Sequence, residues 1–499
     1  MQAFVDYLNS IIWSNALVGL CLGAGLFFSI LTRFVQVRQF REMISLLRRG
    51  EESKHGISTF QALAVSLSGR VGTGNIAGVA AAIGFGGPGA VFWMWTVAFL
   101  GASTAYVEAT LGQIYKEVDE GQYRGGPAFY FEKALGQKWY AWLFAITTII
   151  ATGLLLPGVQ ANAISNATDL ALGGGELIDT VFGNISIIKL GMAIFVVTVL
   201  GVIIFGGVKR IAHVTQIVVP FMALAYIAGA CIIVIINITA LPGVIVLILD
   251  NALTPNAMLG AAIGWGVKRG IYSNEAGQGT GPHAAAAAEV EHPAQQGLVQ
   301  AFSVYVDTLF VCSATAFMIL ITGAYNVVGG DGAFVVQNLP ADVDPASPAF
   351  TQIAVQSVFP AVGGPFVALA LFFFAFTTLL AYYYIAETNV AYIKRTLHIP
   401  GLMFALKVGL MLSVFYGAIR TASLAWGLGD VGVGLMAWLN VVGILLIFFL
   451  ARPALKSLKD YEDQKRAGVE TYTFDPEALG IRNADFWVRR RMNGESRAD

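Results

Sequence analysis

Eleven stretches of this sequence run for about twenty residues or more with almost no charged side chain between their ends. No other feature restricts the fold so strongly. Inside hydrocarbon no water satisfies a free N–H or C=O, so each stretch has to be a helix that bonds its own backbone. The stretches fall at about 11–33, 59–84, 88–115, 138–160, 187–206, 213–236, 256–288, 297–323, 359–393, 402–426 and 432–451. Hydrophobic residues make up 56% of the 499 and charged residues 12%, about half the charged share of a soluble domain. Of the 61 charges, 19 stand in the last 48 residues. The expectation is an all-α polytopic membrane protein, with a transmembrane domain over 1–455 and a solvated, mixed-charge tail over 456–499. Arg489, Arg490 and Arg491 leave a lipid contact open as the alternative for that tail. A soluble enzyme and a disordered chain are excluded. A net charge of −1 without a basic domain also excludes a nucleic-acid binder.

Cys21, Cys231 and Cys312 all sit in apolar runs without paired spacing, and the five histidines include no i,i+4 pair. Disulfides, a metal centre and a cofactor are therefore not expected. Neither a catalytic histidine–carboxylate constellation nor a metal cluster is visible, so the chain is not expected to be an enzyme. No positive segment precedes the first apolar run, which reads as a retained span rather than a cleaved signal.

Orientation follows from Lys and Arg between the spans. Arg33, Arg38, Arg41, Arg48, Arg49 and Lys54 follow the first span, and Lys116, Arg124, Lys133 and Lys138 follow the third. Lys209 and Arg210 follow the fifth, Lys394 and Arg395 the ninth, and Arg452 the eleventh. The alternate segments, about 161–186, 237–255, 324–358 and 427–431, hold no Lys or Arg and carry acids such as Asp169, Asp250, Asp331 and Asp430. That parity puts the N-terminus outside and the C-terminus in the cytoplasm.

Two spans cannot be smooth lipid-facing helices. The second contains Ser68-Gly69-Arg70-Val71-Gly72-Thr73-Gly74-Asn75, with three glycines in six residues, each weakening a helix by about 1 kcal/mol. The seventh contains Ile263-Gly264-Trp265-Gly266-Val267-Lys268-Arg269-Gly270 and then Ser273-Asn274-Glu275-Ala276-Gly277. Its break is expected at the Gly-Trp-Gly step, with Lys268, Arg269 and Glu275 on the cytoplasmic half. Unwound backbone at that depth offers N–H groups to a carboxylate and C=O groups to a cation. The two broken spans lie five apart and run in opposite directions. That is the layout of two inverted five-helix repeats, about 59–236 and 256–451, with one extra helix before them. Glycines that only allow close helix packing are the alternative.

The ninth span adds Phe374-Ala375-Phe376-Thr377-Thr378, two hydroxyls one turn beyond a carbonyl. Neutral oxygens suit a monovalent cation that must leave again, although each Thr can also bond back to its own helix. Glu108, Asp307 and Glu387 are intramembrane acids that read equally as functional groups or as structural ion pairs with Lys268, Arg269 or Arg70. A channel needs a continuous pore, whereas two broken helices argue for alternating access.

The run Gly86-Gly87-Pro88-Gly89-Ala90-Val91-Phe92-Trp93-Met94-Trp95, closing in Ala98-Phe99-Leu100-Gly101, resembles the signature of the alanine/glycine:cation symporters, the sodium:alanine symporter family. Val71 to Ala80 and Ser273 to Gly277 resemble that family too, and the resemblance spans about 1–455. It implies a LeuT-type fold in a bacterial-type inner (plasma) membrane, and symport of a small neutral amino acid, alanine and/or glycine, with Na+. It also implies residue roles. Carbonyls of Ser68, Val71 and Phe374 and hydroxyls of Thr377 and Thr378 would hold sodium. The N–H groups of Gly72, Thr73 and Gly74 would take the substrate carboxylate. Ile263, Gly264, Trp265 and Gly266 would line the opposite wall, with Trp265 limiting side-chain size, and Gln160 would cap the site. Asn75 would bind substrate or a second cation. Oligomeric state, stereochemical preference and the choice of Na+ against H+ are not legible.

Overall fold

The computed structural model describes residues 2–48, 53, 55–180, 183–255 and 258–492. Arg49 and Lys54 of the basic segment, and the last seven residues of the tail, lie outside the described residues. In chain order the principal helices are α1 (Gln2–Ile12), α2 (Asn15–Leu31), α3 (Thr59–Arg70), α4 (Val79–Gly86) and α5 (Ala90–Ile114). They continue as α6 (Lys138–Ala171), α7 (Ile187–Ile204), α8 (Gly207–Ile236), α9 (Leu259–Asn274), α10 (Gly281–Ala287) and α11 (Pro293–Thr322). The last are α12 (Gly363–Lys394), α13 (Leu402–Ala418), α14 (Ala422–Leu450), α15 (Pro453–Arg466) and α16 (Asp485–Met492).

Seven of these are long and apolar enough to cross a membrane, and the bent pair α1–α2 makes an eighth. On α7, Ile194, Phe195 and Val202 point outward as an apolar face suited to lipid. The all-α expectation meets three short antiparallel hairpins, at 117–124, 177–186 and 326–337, all in connections between helices.

The core is two broken helices clasped by the rest. α5 packs along α9, α10 and the first half of α11, while α3 packs on α8 and α12 and α6 packs on α12 and α13. α3 starts on a capping box, Ser58 with Gln61, and ends at Arg70. Val71 leaves the helical region at φ −80° and ψ 87°, and the chain re-enters through a wide π turn over Gly74–Gly78 before α4.

The second break is not where the sequence suggests. α9 runs unbroken through Gly264-Trp265-Gly266 and stops at Asn274. Glu275 takes φ +56°, and Gly277 and Gly279 take +88° and +81°, the left-handed values that glycine adopts without a Cβ penalty. Gly266 serves packing instead: a Cβ there would stand 2.5 Å from the Ala90 carbonyl oxygen of α5. Moving the break to 275–280 also moves Lys268 and Arg269 to the opposite end of the bundle, where Asp430 holds both.

Two further expectations are corrected. α14 begins at Ala422, ten residues early, so Asp430 lies within a helix rather than in a 427–431 loop. The actual turn, 419–421, contains Arg420, so that connection is not free of basic residues. The tail is packed on the bundle over several of its described stretches rather than solvated throughout. Tyr461 is buried and donates to Glu42 at 2.6 Å, Trp487 donates to the Gln113 carbonyl at 2.9 Å, and Arg490 pairs with Glu289 at 2.8 Å. This tail end of the bundle is also where α3 and α10 are tied: Ile57 N–H donates to Ala287 O and Glu289 N–H to Ile57 O.

Candidate functional site

The unwound segment after α3 has no helical partners for its N–H groups, and side chains supply them. Gly72 N–H donates to Asn75 Oδ1 at 2.8 Å. Thr73 donates its N–H (3.0 Å) and its hydroxyl (2.8 Å) to one atom, Gln160 Oε1. Two amide oxygens thus sit side by side at donors able to receive the two oxygens of a carboxylate. Gln160 reaches them because α6 opens into a π turn over Ala151–Leu155 just before Pro157. Its Nε2 lies 3.5 Å from the Tyr272 hydroxyl.

Gly74 is a close-approach position: a Cβ on it would stand 3.1 Å from the Tyr272 ring and 3.2 Å from Ser273 Cα. The wall opposite Gly72–Asn75 is therefore the last turn of α9, Tyr272 and Ser273. Behind it, Asp307 accepts from Asn75 Nδ2 at 2.6 Å, from Ser273 Oγ at 2.9 Å and from Thr308 Oγ1 at 2.7 Å. Asp307 stands in a π-helical stretch of α11, Tyr305–Cys312, a backbone feature frequent at functional sites.

The candidate cation ligands gather at the same break. The Thr378 hydroxyl bridges from α12 to the Ser68 carbonyl at 2.7 Å and lies 3.0 Å from the Phe374 carbonyl. It also lies against Gly72, where a Cβ would be 2.4 Å away. Thr377 bonds back to Phe373 and Phe374 within its own helix. Val71 is fully buried at the end of α3. The set consists of neutral oxygens, which suits a monovalent hard cation. Among the described residues, no three His, Cys, Asp or Glu side chains are grouped to hold a metal ion.

Residues 263–266 lie elsewhere, at the far end of α9. Trp265 stacks on Phe85 with ring centroids 4.7 Å apart, and Gly264 has open space around it. Both line a vestibule of about 590 Å³ together with Trp13, Lys268, Trp426 and Asp430. Between this vestibule and the unwound segment lies a lid. Asp430 holds Arg269 in a two-point pair (2.9 and 2.8 Å) and Lys268 at 2.7 Å. Arg269 lies over the Trp426 ring at 4.3 Å, and Trp426 packs on Tyr272 at 4.8 Å.

The structure thus brings Ser68, Gly72, Thr73, Gly74, Asn75, Gln160, Phe374, Thr377 and Thr378 together, and sets Ile263–Gly266 apart. Sequence reasoning did not place Tyr272 and Ser273 at the site, although Ser273 opens the Ser273-Asn274-Glu275 run and Tyr272 directly precedes it. It also missed the Arg269–Asp430 lid, whose partners are 161 residues apart. Of the intramembrane acids, Glu108 caps the second break by accepting from Gly277 and Gly279 N–H, and Glu387 pairs with Arg124 at 3.6 Å.

Comparison with known proteins agrees with this architecture. The model of the sodium:alanine symporter family matches residues 1–476. The chain is 56% identical to the YrbD protein of Bacillus subtilis (strain 168), covering 100% of both chains. It is 48% identical, over 89% of its own length and 97% of the relative, to a Bacillus sp. (strain PS3) protein named sodium/proton-dependent alanine carrier. Among solved structures, the LeuT-type MhsT in complex with L-phenylalanine superimposes with a TM-score of 0.55 at 16% identity, covering 82% of this chain and 99% of that one. That last likeness is one of fold.

Proposed function

This chain belongs to the sodium:alanine symporter family, and on that premise we propose that it carries a small neutral amino acid, alanine and/or glycine, into the cell together with Na+ by alternating access. One observation carries the reading. The Thr378 hydroxyl meets the Ser68 carbonyl on the same unwound segment whose Gly72 and Thr73 N–H groups are held by amide oxygens. An ion bound between α12 and Ser68 would hold that segment open, and the substrate carboxylate would replace Gln160 and Asn75 at its N–H groups. Ion and substrate then stabilise one backbone conformation, and each raises the other's affinity by the same factor.

In this reading there are eleven spans, with α3–α4 and α9–α10 each counted as one. The N-terminus is outside, the tail is cytoplasmic, and the spans after the first form two inverted repeats in the plasma membrane. The vestibule faces outward above the Arg269–Asp430–Trp426 lid, and the Ile57–Ala288 bridge closes the cytoplasmic side. The membrane potential adds about 2.3 kcal/mol per charge per 100 mV to the driving force. Tyr272 and Ser273 face the substrate, and Trp265 shapes the entrance.

The test is uptake of labelled alanine by the purified protein in liposomes, with and without an inward Na+ gradient. Accumulation that requires the gradient and is competed by glycine is expected. Alanine flux that neither saturates nor responds to Na+ refutes symport.

A further inference from the structure

Four ionisable side chains, Arg70, Glu275, Glu108 and Asp307, meet between the two broken helices, and the symport reading gives no task to Arg70 or Glu275. Arg70 ends α3 and is 1% exposed. Its Nη1 donates to the Gln300 carbonyl and to Ser303, but Nε and Nη2 are buried without a hydrogen-bond partner among the described residues. Glu275, Glu108 and Asp307 are the carboxyl groups whose charge it feels, and none forms an ion pair with it among the described residues. One guanidinium against three carboxylates, all buried, leaves excess negative charge in a low-dielectric site, which is strongly unfavourable unless a carboxyl is neutral or a cation is bound.

Counting donors shows which carboxyl carries least support as an anion. Glu108 accepts from Gly277 N–H, Gly279 N–H and Asn440 Nδ2, and Asp307 from Asn75, Ser273 and Thr308. Glu275 accepts from Thr280 Oγ1 alone, and its Oε1 is buried without a partner among the described residues. Donors stabilise the ionised form, so the proton belongs on the carboxyl with fewest.

Position gives that proton a consequence. Glu275 is the residue at which α9 ends, and its carboxyl lies against α3, 3.1 Å from where a Gly69 Cβ would be. Arg70 reaches the other way: Nη2 lies 2.8 Å from where a Cβ on Gly281, the first residue of α10, would be. The two side chains cross between α3 and the hinge of α10 without pairing. We propose that Glu275 binds and releases a coupling proton, and that its charge state sets whether α3 and α10 are drawn together by Arg70. An ionised Glu275 takes one proton from the outer side and becomes a neutral acid. No other bond changes, and the same proton leaves to the cytoplasm once α10 has moved. The neutral acid releases Arg70, and the ionised form recaptures it. The charged groups facing Glu275 are Arg70 on α3, Glu108 on α5 and Asp307 on α11, and the titratable hydroxyls of Tyr272 on α9 and Tyr382 on α12 face it as well.

This inference rests on the symport reading and is tested apart from it. Alanine uptake into liposomes is measured under an inward proton gradient without Na+, and under a Na+ gradient at equal pH, with the potential clamped. The wild type is expected to use both gradients. Glu275→Gln is expected to fall to the level of protein-free liposomes under the proton gradient alone, and the Na+-driven uptake it retains is expected to lose the wild type's dependence on pH. Proton-driven uptake retained by Glu275→Gln overturns the assignment, as does a wild type that uses Na+ but never protons. If the variant transports under neither gradient, alanine binding across pH decides. Affinity that has lost the wild type's pH dependence supports the site, and affinity that keeps it, or a variant that does not fold while Glu275→Asp behaves as wild type under the Na+ gradient alone, overturns it. A wild type that takes up no alanine with Na+ refutes symport instead.

Discussion

Replacing Thr378 by alanine tests the cation cage at the joint between α12 and the unwound end of α3. The hydroxyl reaches from α12 to the unwound end of α3, at 2.7 Å from Ser68 O and 3.0 Å from Phe374 O. Those carbonyls and that hydroxyl are the oxygens a Na+ would share. An oxygen contact to a charged group is worth about 1.5–3 kcal/mol, so Thr378→Ala is expected to raise the Na+ half-saturation of alanine uptake roughly 10- to 150-fold. Leu379 supplies the control. It is also fully buried on α12, and Leu379→Ala costs about 2–5 kcal/mol of packing, yet it removes no oxygen. Its Na+ dependence is expected to stay near the wild type even where its thermal stability falls. Thr378→Ser keeps the hydroxyl and is expected to stay near the wild type in both. The assay is initial alanine uptake against Na+ concentration at fixed potential. Equal half-saturation in Thr378→Ala and Leu379→Ala would sink the cage.

Asp430→Ala leaves Arg269 and Lys268 buried without their carboxylate, so it is expected to lower stability by about 3–5 kcal/mol, read as a fall in melting temperature in detergent. An unchanged melt refutes the lid's ion pair as a structural element. Tyr272→Ala is expected to broaden the range of accepted side-chain sizes because Tyr272 borders Gly74. Trp265→Ala, stacked on Phe85 at the vestibule, is expected to leave selectivity as it was; competition by a series of amino acids separates the two. At the tail, Lys116 is buried under the rings of Tyr123, Phe486 and Trp487, and burial pushes its ammonium down to about 7, against the pull of Glu289. The undocked state therefore binds this proton more readily, and docking strengthens as pH rises from about 7 towards the ordinary lysine range. The slope is at most about 1.4 kcal/mol per pH unit, reduced by the cation–π contacts that favour the charged form. Cleavage of the tail by protease, normalised to an unstructured peptide at each pH, should slow with rising pH in the wild type and show no trend in Lys116→Met.

Much of this protein was readable along the chain because a bilayer leaves few options. Long apolar runs must be helices, and glycine and polar residues inside such runs mark where a helix gives way. The unwinding at Val71–Thr73 and the approach of Thr378 to the opened backbone at Ser68 followed from residue type and spacing, whereas Gln160 at the site followed only from the family resemblance. The second break was misplaced because glycine has two uses in a membrane. Gly264 and Gly266 serve close packing with helical backbone, whereas Gly277 and Gly279 serve positive φ. Composition does not tell those uses apart.

What the sequence determined by itself is therefore the predominance of long apolar helices, the existence of two interruptions and the chemistry available at each. These depend on local properties: apolar length against bilayer thickness, and the cost of glycine in a helix. Only the tertiary structure decided which side chains face those interruptions. Tyr272 and Ser273 rather than Ile263–Gly266 stand against Gly74, Asp430 holds Arg269 from another helix, and the tail docks instead of dangling in solvent. Each of those contacts joins residues far apart in sequence, or turns on one helix ending eight residues later than expected. A shift of eight residues along α9 is about 12 Å, enough to carry a wall of the site out into the vestibule.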